Sequence, residues 1–336
     1  MKYRKRVRRV LESALVLFAR GSIAMLSRRA VVCLSHFLGL CTYTFSPALR
    51  RVASANLKIA FGESLSEPEL RVISKASFQH FCLSLLDLFW FNRNTAERMK
   101  LYFRYDSSFE AVFDGSPNIL ISGHLGNWEV MGLGCGMRGL PVTAVVMPSQ
   151  NAFAESELAR LRMHSGYTFV PREGAMRQIM KALKQGRSTA LLVDQNTLPD
   201  EGGMFVPFFG LPAPVTKAVG ALWARTQARP VVVWCTVDVE GVYTAYANPP
   251  LACAEENMTI EEMTHRVTQE LEKVIRDNPE HWLWSYKRWR FYRAEDSVDA
   301  FPFYAESLEQ YVTFNTLVQR HRDAVRAKAD AERVRS

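Results

Sequence analysis

The sequence predicts an α/β protein in which a central, mostly parallel sheet is flanked by helices. From residue 118 onward, short apolar runs bounded by turn residues alternate with stretches of helical periodicity. The predicted strands are 118–122, 141–147, 168–170, 188–193, 231–239 and 242–247. The predicted helices lie near 126–137, 153–164, 174–185, 215–227 and 259–277. Such alternation is typical of parallel sheets, which bind their ligands beyond the carboxyl ends of the strands.

The composition is that of a folded globular protein. Of the 336 residues, 48% are hydrophobic and 23% are charged, which is too apolar for a disordered chain. Six cysteines occur without a CxxC pair and without a Cys/His cluster of zinc spacing. We therefore expect reduced, mostly buried thiols in a protein whose body faces a cytoplasm.

The net charge of +8 is concentrated at the two ends of the chain. The first ten residues hold six basic groups and no acid, and residues 318–336 carry a net +3, which leaves the central body close to neutral. A nucleic-acid groove needs basic residues distributed through the fold, so no nucleic-acid partner is expected. Basic ends suit an anionic membrane surface, although solvated tails without a partner fit the same charges.

The N-terminal region indicates membrane association. An apolar stretch after the basic cluster is interrupted by Glu12 and Arg20, which favours an amphipathic helix lying in the interface over a spanning one. Residues 30–49 then contain no Asp, Glu, Lys or Arg, but several polar residues dilute the segment. The sequence leaves open whether this segment spans the bilayer or lies on it.

Three regions are expected from these patterns. They are a basic, membrane-associating helical segment over 1–39, a main domain over 40–295 and a charged helical tail over 296–336. Within the main domain, Ser66 and Glu69 have the spacing of a capping box that opens a helix. That helix is rich in aromatic residues, which fit either ordinary core or the wall of an alkyl-chain channel.

His124 and Glu129 are the first candidates for catalysis. They follow the strand predicted over 118–122 and are five positions apart, so on one continuous helix they would point to different faces. They meet only if the chain turns between them, and Gly123 and Gly126 give the backbone that freedom. A loop histidine held by a carboxylate is the usual general base near neutral pH, whereas the simpler interpretation is a capped turn with a surface histidine.

A second set of candidates follows later strands. Asp194 ends the strand predicted over 188–193, where it would orient His124 or an acceptor, or only cap the turn. The segment 202–217 is predicted as a Pro/Gly-rich, aromatic loop before a helix start, at which Thr216 and Lys217 would receive an anionic group, although plain packing explains the same residues. Further phosphate contacts are open to Arg162, Arg172 and Arg177, although a solvated helix residue is the simpler explanation of each one alone.

Several chemistries are disfavoured by the motifs. Residues 134–139 match GxGxxG, but they follow a helix and precede a strand, the reverse of a dinucleotide-binding site. There is no GxSxG elbow, no P-loop and no His/carboxylate cluster of metal-site spacing. We expect neither a cofactor nor a bound metal.

Taken together, these segments resemble the bacterial lipid A biosynthesis (lauroyl/myristoyl) acyltransferases, which are lysophospholipid acyltransferase-like. The resemblance covers about residues 10–292, and its centre is the HxxxxE box, with Asn127 and Trp128 between His124 and Glu129. The other matching residues are Arg51, Asn56, Leu57, Phe61, Asn151, Arg162, Asp194, Gln195, Phe208, Phe209, Gly210, Thr216, Pro279, Glu280, Trp282, Trp284 and Arg288. Two departures, at 147–151 and at His281 where Gln is commoner, concern the identity of the acceptor more than the reaction.

The resemblance implies a glycerolipid acyltransferase-like fold and a specific reaction. An acyl chain would pass from an acyl carrier protein or CoA thioester to a hydroxyl of a lipid A precursor or related glycolipid, at the cytoplasmic face of the bacterial inner membrane. His124 would be the general base and Glu129 would fix its tautomer. Backbone N–H groups near Gly123–Gly126, or Arg162, would stabilise the oxyanion. The resemblance also places Asn127, Asp194, Gln195 and Thr216 at the substrate.

Two other functions stay open from the sequence. One is an acyltransferase for another lysolipid or glycolipid acceptor. The other is a membrane-associated lipid-binding protein that keeps the fold without catalysis, which intact His124 and Glu129 argue against. Acyl chain length and oligomeric state have no signal in the sequence.

Overall fold

A computed structural model describes residues 21–62, 64–146, 152–171, 174–252, 257–313 and 316. Its centre is a seven-stranded sheet with the order β1-β9-β8-β2-β5-β3-β4. The strands are β1 Phe103–Tyr105, β2 Asn118–Ser122, β3 Val142–Val146, β4 Thr168–Pro171, β5 Ser188–Leu192, β8 Arg229–Val237 and β9 Tyr243–Ala247. All neighbouring pairs are parallel except β8 and β9. The predicted mostly parallel sheet is therefore confirmed.

Strand β2 lies in the middle of the sheet, between β5 and β8. All five of its residues are buried, because helices cover both faces of the sheet. This explains the three consecutive apolar residues at its centre, since a parallel strand buried on both faces does not alternate apolar with polar residues. Ile119 and Ile121 face one hydrophobic cluster and Leu120 faces the other.

Helices flank the sheet and precede it. They are α1 Arg28–Phe45, α2 Pro47–Phe61, α3 Glu67–Trp90, α4 Thr95–Tyr102, α5 Trp128–Met137, α6 Ala152–Met163, α7 Ala175–Lys184, α8 Ala218–Thr226 and α9 Ile260–Asp277. Their starts follow local chemistry: Pro47 occupies the first turn of α2, and the capping box predicted from Ser66 and Glu69 begins α3. Short 3₁₀ turns connect several of these elements, including Ser107–Phe113 and Pro279–His281.

A buried ion pair fixes α1 on α3. Arg28 is 3% exposed and Asp87 is fully buried, and the guanidinium of Arg28 contacts the Asp87 carboxylate through both terminal nitrogens. The Nε of Arg28 also donates to the backbone oxygen of Gly241, at 2.8 Å. Removing either partner would leave a charge buried without compensation, which typically costs about 3–5 kcal/mol. The pair therefore holds α1 against α3.

The outer surface of α1 and α2 is apolar. Phe37, Leu40, Phe45 and Leu49 are 63%, 46%, 79% and 42% exposed. No single described helix has both the length and the apolar character to cross a bilayer, although α1 and α2 satisfy both conditions when taken as one pair bent by 93°. The first twenty residues, with the basic cluster and most of the predicted interfacial helix, lie outside the described part of the chain.

The segment predicted as an irregular loop over 202–217 is instead an antiparallel hairpin. Its strands are β6 Gly203–Phe208 and β7 Leu211–Thr216, which pair only with each other. Pro207, Pro212 and Pro214 made a strand assignment unfavourable, because proline cannot donate a ladder hydrogen bond. A two-stranded ribbon tolerates them, since both of its strands have an outer edge that needs no partner.

Two smaller expectations also change. Strand β1 was not predicted, because its three residues are too few to show a period. The prediction of mostly buried thiols was wrong: among the five described cysteines, all of them free, only Cys135 and Cys235 are buried. Most of the predicted C-terminal tail helix lies outside the described residues. In the described part of the tail, residues 308–313 are helical, and they follow the 3₁₀ turn Val298–Ala300 and the strand β11 Glu306–Ser307, which pairs with β10 Phe291–Tyr292.

Candidate functional site

The register of the sheet brings His124 and Asp194 together. Strands β2 and β5 are parallel neighbours in which Ser122 lies opposite Leu192. His124 and Asp194 each follow two residues after these paired positions, at the same edge of the sheet. Because the carboxyl ends of parallel strands open at one edge, two side chains from distant parts of the sequence meet there.

Asp194 holds His124 by both its backbone and its ring. The backbone N–H of His124 donates to Oδ2 of Asp194 at 2.7 Å, and the ring Nδ1 lies 2.8 Å from Oδ1. The indole N–H of Trp282 donates to Oδ2 at 2.9 Å. With Nδ1–H donating to Asp194, Nε2 is left as the unprotonated nitrogen, and it faces the Gln195 side-chain amide at 3.3 Å. This is the orientation that a general base requires.

A glycine makes this approach of Asp194 possible. A Cβ at Gly123 would lie 3.0 Å from the carboxyl carbon of Asp194, closer than side chains normally pack. The glycines of the motif therefore do more than allow a turn. Gly126, at φ +65°, would place a Cβ on the backbone oxygen of Cys235, so no other residue fits there.

The buried carboxylate shifts the acid–base behaviour of the histidine. Burial works to lower the pKa of His124, but the charge and the hydrogen bond of Asp194, with a smaller contribution from Glu129, outweigh it, so that the pKa lies above its usual value. Burial likewise works to raise the pKa of Asp194, whereas His124 and Trp282 stabilise its carboxylate and the net pKa is lowered. Asp194 is therefore ionised when His124 accepts a proton.

Glu129 does not hold His124. Its carboxylate binds Arg162 in a two-pronged contact, Oε1 to Nη2 at 2.6 Å and Oε2 to Nε at 3.1 Å. The two side chains are 17% and 19% exposed. The expectation that Glu129 fixes the tautomer of His124 is thus corrected: Asp194 occupies that position, and Glu129, in the first turn of α5, fixes Arg162 on α6 instead.

The turn that carries His124 is supported from behind by the segment 279–283. Leu125 and Trp282 form an antiparallel bridge, the N–H of Gly126 donates to the oxygen of His281 at 2.9 Å, and the N–H of Leu283 donates to the oxygen of His124 at 3.1 Å. The ring of His281 stacks on that of His80, with centroids 4.2 Å apart. Burial, helped by the neighbouring His281, lowers the pKa of His80 to about 4. These contacts fix the backbone of the turn that carries His124.

The side chain of Asn127 is buried beneath the turn that carries His124. It is 2% exposed, its Oδ1 accepts from the N–H of Val130 at 3.1 Å and so caps α5, and its Nδ2 lies 3.3 Å from both Asp87 and the Tyr243 hydroxyl. The expectation that Asn127 contacts substrate is therefore not met in this structure. The residue instead connects the start of α5 to the buried Arg28–Asp87 pair.

The turn after β5 is braced by a buried arginine. Arg288 is 1% exposed and donates through Nη1 to Oδ1 of Asn196 at 2.7 Å and to the oxygen of Pro214 at 2.9 Å. Burial lowers its pKa to about 10. Trp282 is also 1% exposed, and both residues support the turn that carries Asp194.

A cavity of about 990 Å³ opens in front of these groups. His124, Glu129, Arg162, Gln195 and Thr216 line it, as do Lys217 and Arg225. Thr216 ends β7, and its hydroxyl accepts from the N–H of Ala218 at 3.2 Å, at the start of α8. Of the seven candidate site residues, the structure gathers five around the cavity, places Asp194 directly behind His124, and leaves Asn127 on the far side of the turn.

The remaining arginines of interest fall elsewhere. Arg177 is an exposed residue of α7 that does not line the cavity. Arg172 lies outside the described residues, as does Asn151, one of the residues that carried the resemblance. Within the described part of the chain, no group of three or more His, Cys, Asp and Glu side chains is placed to hold a metal ion.

The sequence of the chain matches one known protein family. The sequence model of the bacterial lipid A biosynthesis acyltransferases matches residues 1–291, most of the chain. The chain belongs to this family. It is accordingly an acyltransferase of lipid A biosynthesis, with an α/β fold. No curated protein matches the chain.

Two buried polar residues, Asn56 and Asp87, connect the helices before the sheet to the rest of the protein. Asn56, which carried part of the resemblance, is completely buried and donates through Nδ2 to the oxygens of Trp284 and Tyr286, each at 2.7 Å. It thereby ties α2 to the segment that supports the His124 turn. Asp87 was missed, although a lone carboxylate in the apolar run 85–91 is the kind of signal that marks a buried polar contact.

Proposed function

We propose that this protein transfers a fatty acyl chain from a thioester, carried by an acyl carrier protein or CoA, to a hydroxyl of a lipid A precursor or related glycolipid. The observation that carries the proposal is the His124–Asp194 pair, whose unprotonated imidazole nitrogen borders a large and mainly apolar cavity. A general base beside a space for an alkyl chain is the arrangement that acylation of a lipid hydroxyl requires.

The chemical step is direct attack. Nε2 of His124 takes the proton of the acceptor hydroxyl while its oxygen bonds to the thioester carbonyl carbon. The tetrahedral intermediate collapses, the C–S bond breaks, and the leaving thiolate takes the proton back from the imidazolium. Asp194 stabilises that imidazolium and keeps the ring in one tautomer. Gln195 donates to Nε2 in the free protein and yields this place to the hydroxyl.

Arg162 is the best candidate for stabilising the oxyanion. The backbone alternative is weakened because the N–H groups of His124 and Gly126 already donate to Asp194 and His281. Arg162 lines the cavity, and its Nε and Nη2 face Glu129, whereas Nη1 has no partner among the described residues. Glu129 thus holds the guanidinium of Arg162 beside the reacting carbonyl. A cation fixed in this way stabilises the oxyanion without having to move during the reaction.

The polar rim of the cavity suits a phosphorylated or sugar-bearing acceptor. Thr216 and Lys217 precede α8, Arg225 lies near its end, and all three line the same cavity as His124. Cationic and hydroxyl groups of this kind recognise phosphate and sugar oxygens. In this proposal the substrates are the acyl thioester and the glycolipid, and the reaction uses no cofactor and no metal.

We further place the protein at the cytoplasmic face of the bacterial inner membrane. The exposed Phe37, Leu40, Phe45 and Leu49 of α1 and α2 form an apolar surface larger than isolated exposed residues would give. The six basic residues among the first ten suit anionic headgroups beside it. The thioester donor is cytoplasmic, so the cavity must be reached from that side.

The proposal is tested by transfer from a labelled acyl carrier protein to a lipid A precursor, followed by mass spectrometry of the lipid. His124→Ala should lower the rate by about 10²–10⁴-fold, because the general base is lost. The matched control is His164→Ala, since His164 is exposed and does not line the cavity.

Three outcomes separate the alternatives. Retained turnover in His124→Ala contradicts the mechanism. Transfer to another lysolipid or glycolipid, but not to a lipid A precursor, leaves the mechanism and changes the acceptor. Binding of lipid without any turnover by the unmodified protein identifies a lipid-binding protein instead.

A further inference from the structure

The cavity extends along both faces of the sheet. On the α5 face it is lined by residues that pack in one hydrophobic cluster, including Leu120, Leu133 and Cys135. On the opposite face it is lined by residues of the other cluster, including Ile179 and Leu222. The two arms meet at the carboxyl edge of the strands, where His124 lies.

The two arms differ in charge. The arm on the opposite face is bordered by Lys217, Arg225 and Glu261. Among the described residues, the α5 arm has no charged side chain beyond the Glu129–Arg162 pair at its entrance, and its walls include Leu120, Leu133, Leu161, Phe169 and Val233. An unbranched alkyl chain is stabilised by apolar walls, whereas a phosphorylated sugar is not. The α5 arm therefore fits the acyl chain.

One face of helix α5 forms a wall along the length of this arm. Glu129, Gly132 and Cys135 follow one another at intervals of three residues, and all three line the cavity. With a rise of about 1.5 Å per residue, Gly132 lies roughly 4.5 Å and Cys135 roughly 9 Å along the helix from Glu129. A chain entering beside Glu129 thus passes Gly132 before it reaches Cys135.

Gly132 is open toward the cavity. A Cβ at this position would meet a single neighbour, a ring carbon of Tyr167 at 3.7 Å, which is an ordinary van der Waals contact. The nearby glycines are different: a Cβ at Gly134 would collide with Phe103, and one at Gly136 with the backbone of Ser165. Those two are required by packing, whereas the absence of a side chain at Gly132 leaves free space in the arm.

The deep end of the arm is closed by a neutral polar pair. The side chains of Cys135 and Tyr167 hydrogen-bond each other. Burial raises the pKa of Cys135 to about 12 and raises that of Tyr167 as well, so both groups are uncharged. The arm therefore ends against side chains that an alkyl terminus can contact without meeting a charge.

From this geometry we propose that Gly132 determines the length of the acyl chain that the enzyme transfers, with Tyr167 closing the arm behind it. The proposal rests on the acyl transfer proposed above. A side chain introduced at Gly132 would fill the arm near its middle and exclude the distal methylenes of a long chain. Helix α5 itself should tolerate the change, because glycine is a poorer helix former than the residues introduced.

The test measures kcat/KM of Gly132→Ala, Gly132→Leu and Gly132→Met with thioester donors of about 8 to 18 carbons. Each methylene excluded from the arm should lower kcat/KM roughly fourfold. The ratio of kcat/KM for long over short donors should fall progressively through this series, by about tenfold or more in the two larger variants. Tyr167→Ala should shift the preference toward longer donors. The matched control is Ala221→Met, which narrows the other arm and should leave the ratio unchanged.

Each outcome decides the proposal. An unchanged donor ratio in an active Gly132→Met variant overturns it, as does a ratio that changes in Ala221→Met but not at Gly132. If the larger variants do not fold, Gly132→Ala and Tyr167→Ala still test it through opposite shifts, and the absence of both shifts overturns it. Failure of the unmodified protein to use any thioester counts against the proposed reaction instead, and is seen before any variant is made.

Discussion

The two carboxylates on either side of His124 have different surroundings and different partners. The side chain of Asp194 is 3% exposed and binds the ring, the backbone N–H of His124 and the indole of Trp282. Glu129 is 17% exposed and binds Arg162. Glu129 is five residues from His124 in the sequence, whereas Asp194 is seventy residues away.

The comparison shows that sheet register, not sequence proximity, selects the partner of a loop histidine. Ser122 and Leu192 are paired across β2 and β5, so the residues that follow them are neighbours in space. Glu129 sits in the first turn of α5, where a carboxylate is favoured by the helix dipole and can reach a cation on α6. One carboxylate thus binds His124, and the other binds Arg162.

The largest effect is expected from Asp194→Asn. Loss of the negative charge leaves the imidazolium without compensation and removes the constraint on the tautomer, so kcat should fall by about 10²–10⁴-fold. Steady-state kinetics with the acyl thioester measure this, and circular dichroism checks the fold. A variant as active as the unmodified protein would return the orienting role to Glu129.

A smaller loss is expected from Glu129→Gln. Arg162 would keep its charge but lose its anchor, and kcat should fall by roughly 10–10²-fold, less than the loss of a complete oxyanion donor. Because the two residues act as a unit, Glu129→Gln combined with Arg162→Gln should be no worse than Arg162→Gln alone. Additive losses in this double-mutant cycle would mean that Glu129 acts on another group, such as His124.

The smallest effect on catalysis is expected from Asn127→Ala. Loss of the α5 cap and of the contact with Asp87 should lower the free energy of unfolding by about 1–2 kcal/mol, measured by urea titration. Because Asn127 faces the interior, kcat/KM should change by less than about fivefold, which corresponds to about 1 kcal/mol. Asn127→Ser, which keeps a capping oxygen, is the matched control. A collapse of activity at unchanged stability would place Asn127 at the substrate, as the sequence first suggested.

Much of the fold was predictable, because its signals are local. The apolar run 118–122 and the capping box of Ser66 and Glu69 reflect strand burial and helix initiation, which act over a few residues. The hairpin of β6 and β7 was not predictable from composition, since its prolines are tolerated only in an isolated ribbon. The hairpin forms because of tertiary packing, which local sequence patterns do not predict.

Most residues of the site were predictable from the sequence, whereas the hydrogen bonds and ion pairs between them were not. His124, Asp194, Gln195, Arg162 and Thr216 follow strands or lie on adjoining helices, and this placed them near one sheet edge. The pairing of Glu129 with Arg162, and of Asn127 with Asp87, depends on the relative placement of α3, α5 and α6. Such contacts join residues 33 and 40 positions apart, beyond the reach of periodicity.

The most direct measurement is an NMR titration of the His124 imidazole in the unmodified protein, in Asp194→Asn and in Glu129→Gln. A nearby negative charge favours the imidazolium, so the raised pKa of His124 should fall in both variants and fall more in Asp194→Asn. Since the neutral ring is the base, the acidic limb of the kcat/KM profile should move to lower pH in the same order. A larger fall in Glu129→Gln than in Asp194→Asn would contradict the assignment of Asp194 as the residue that holds the catalytic histidine.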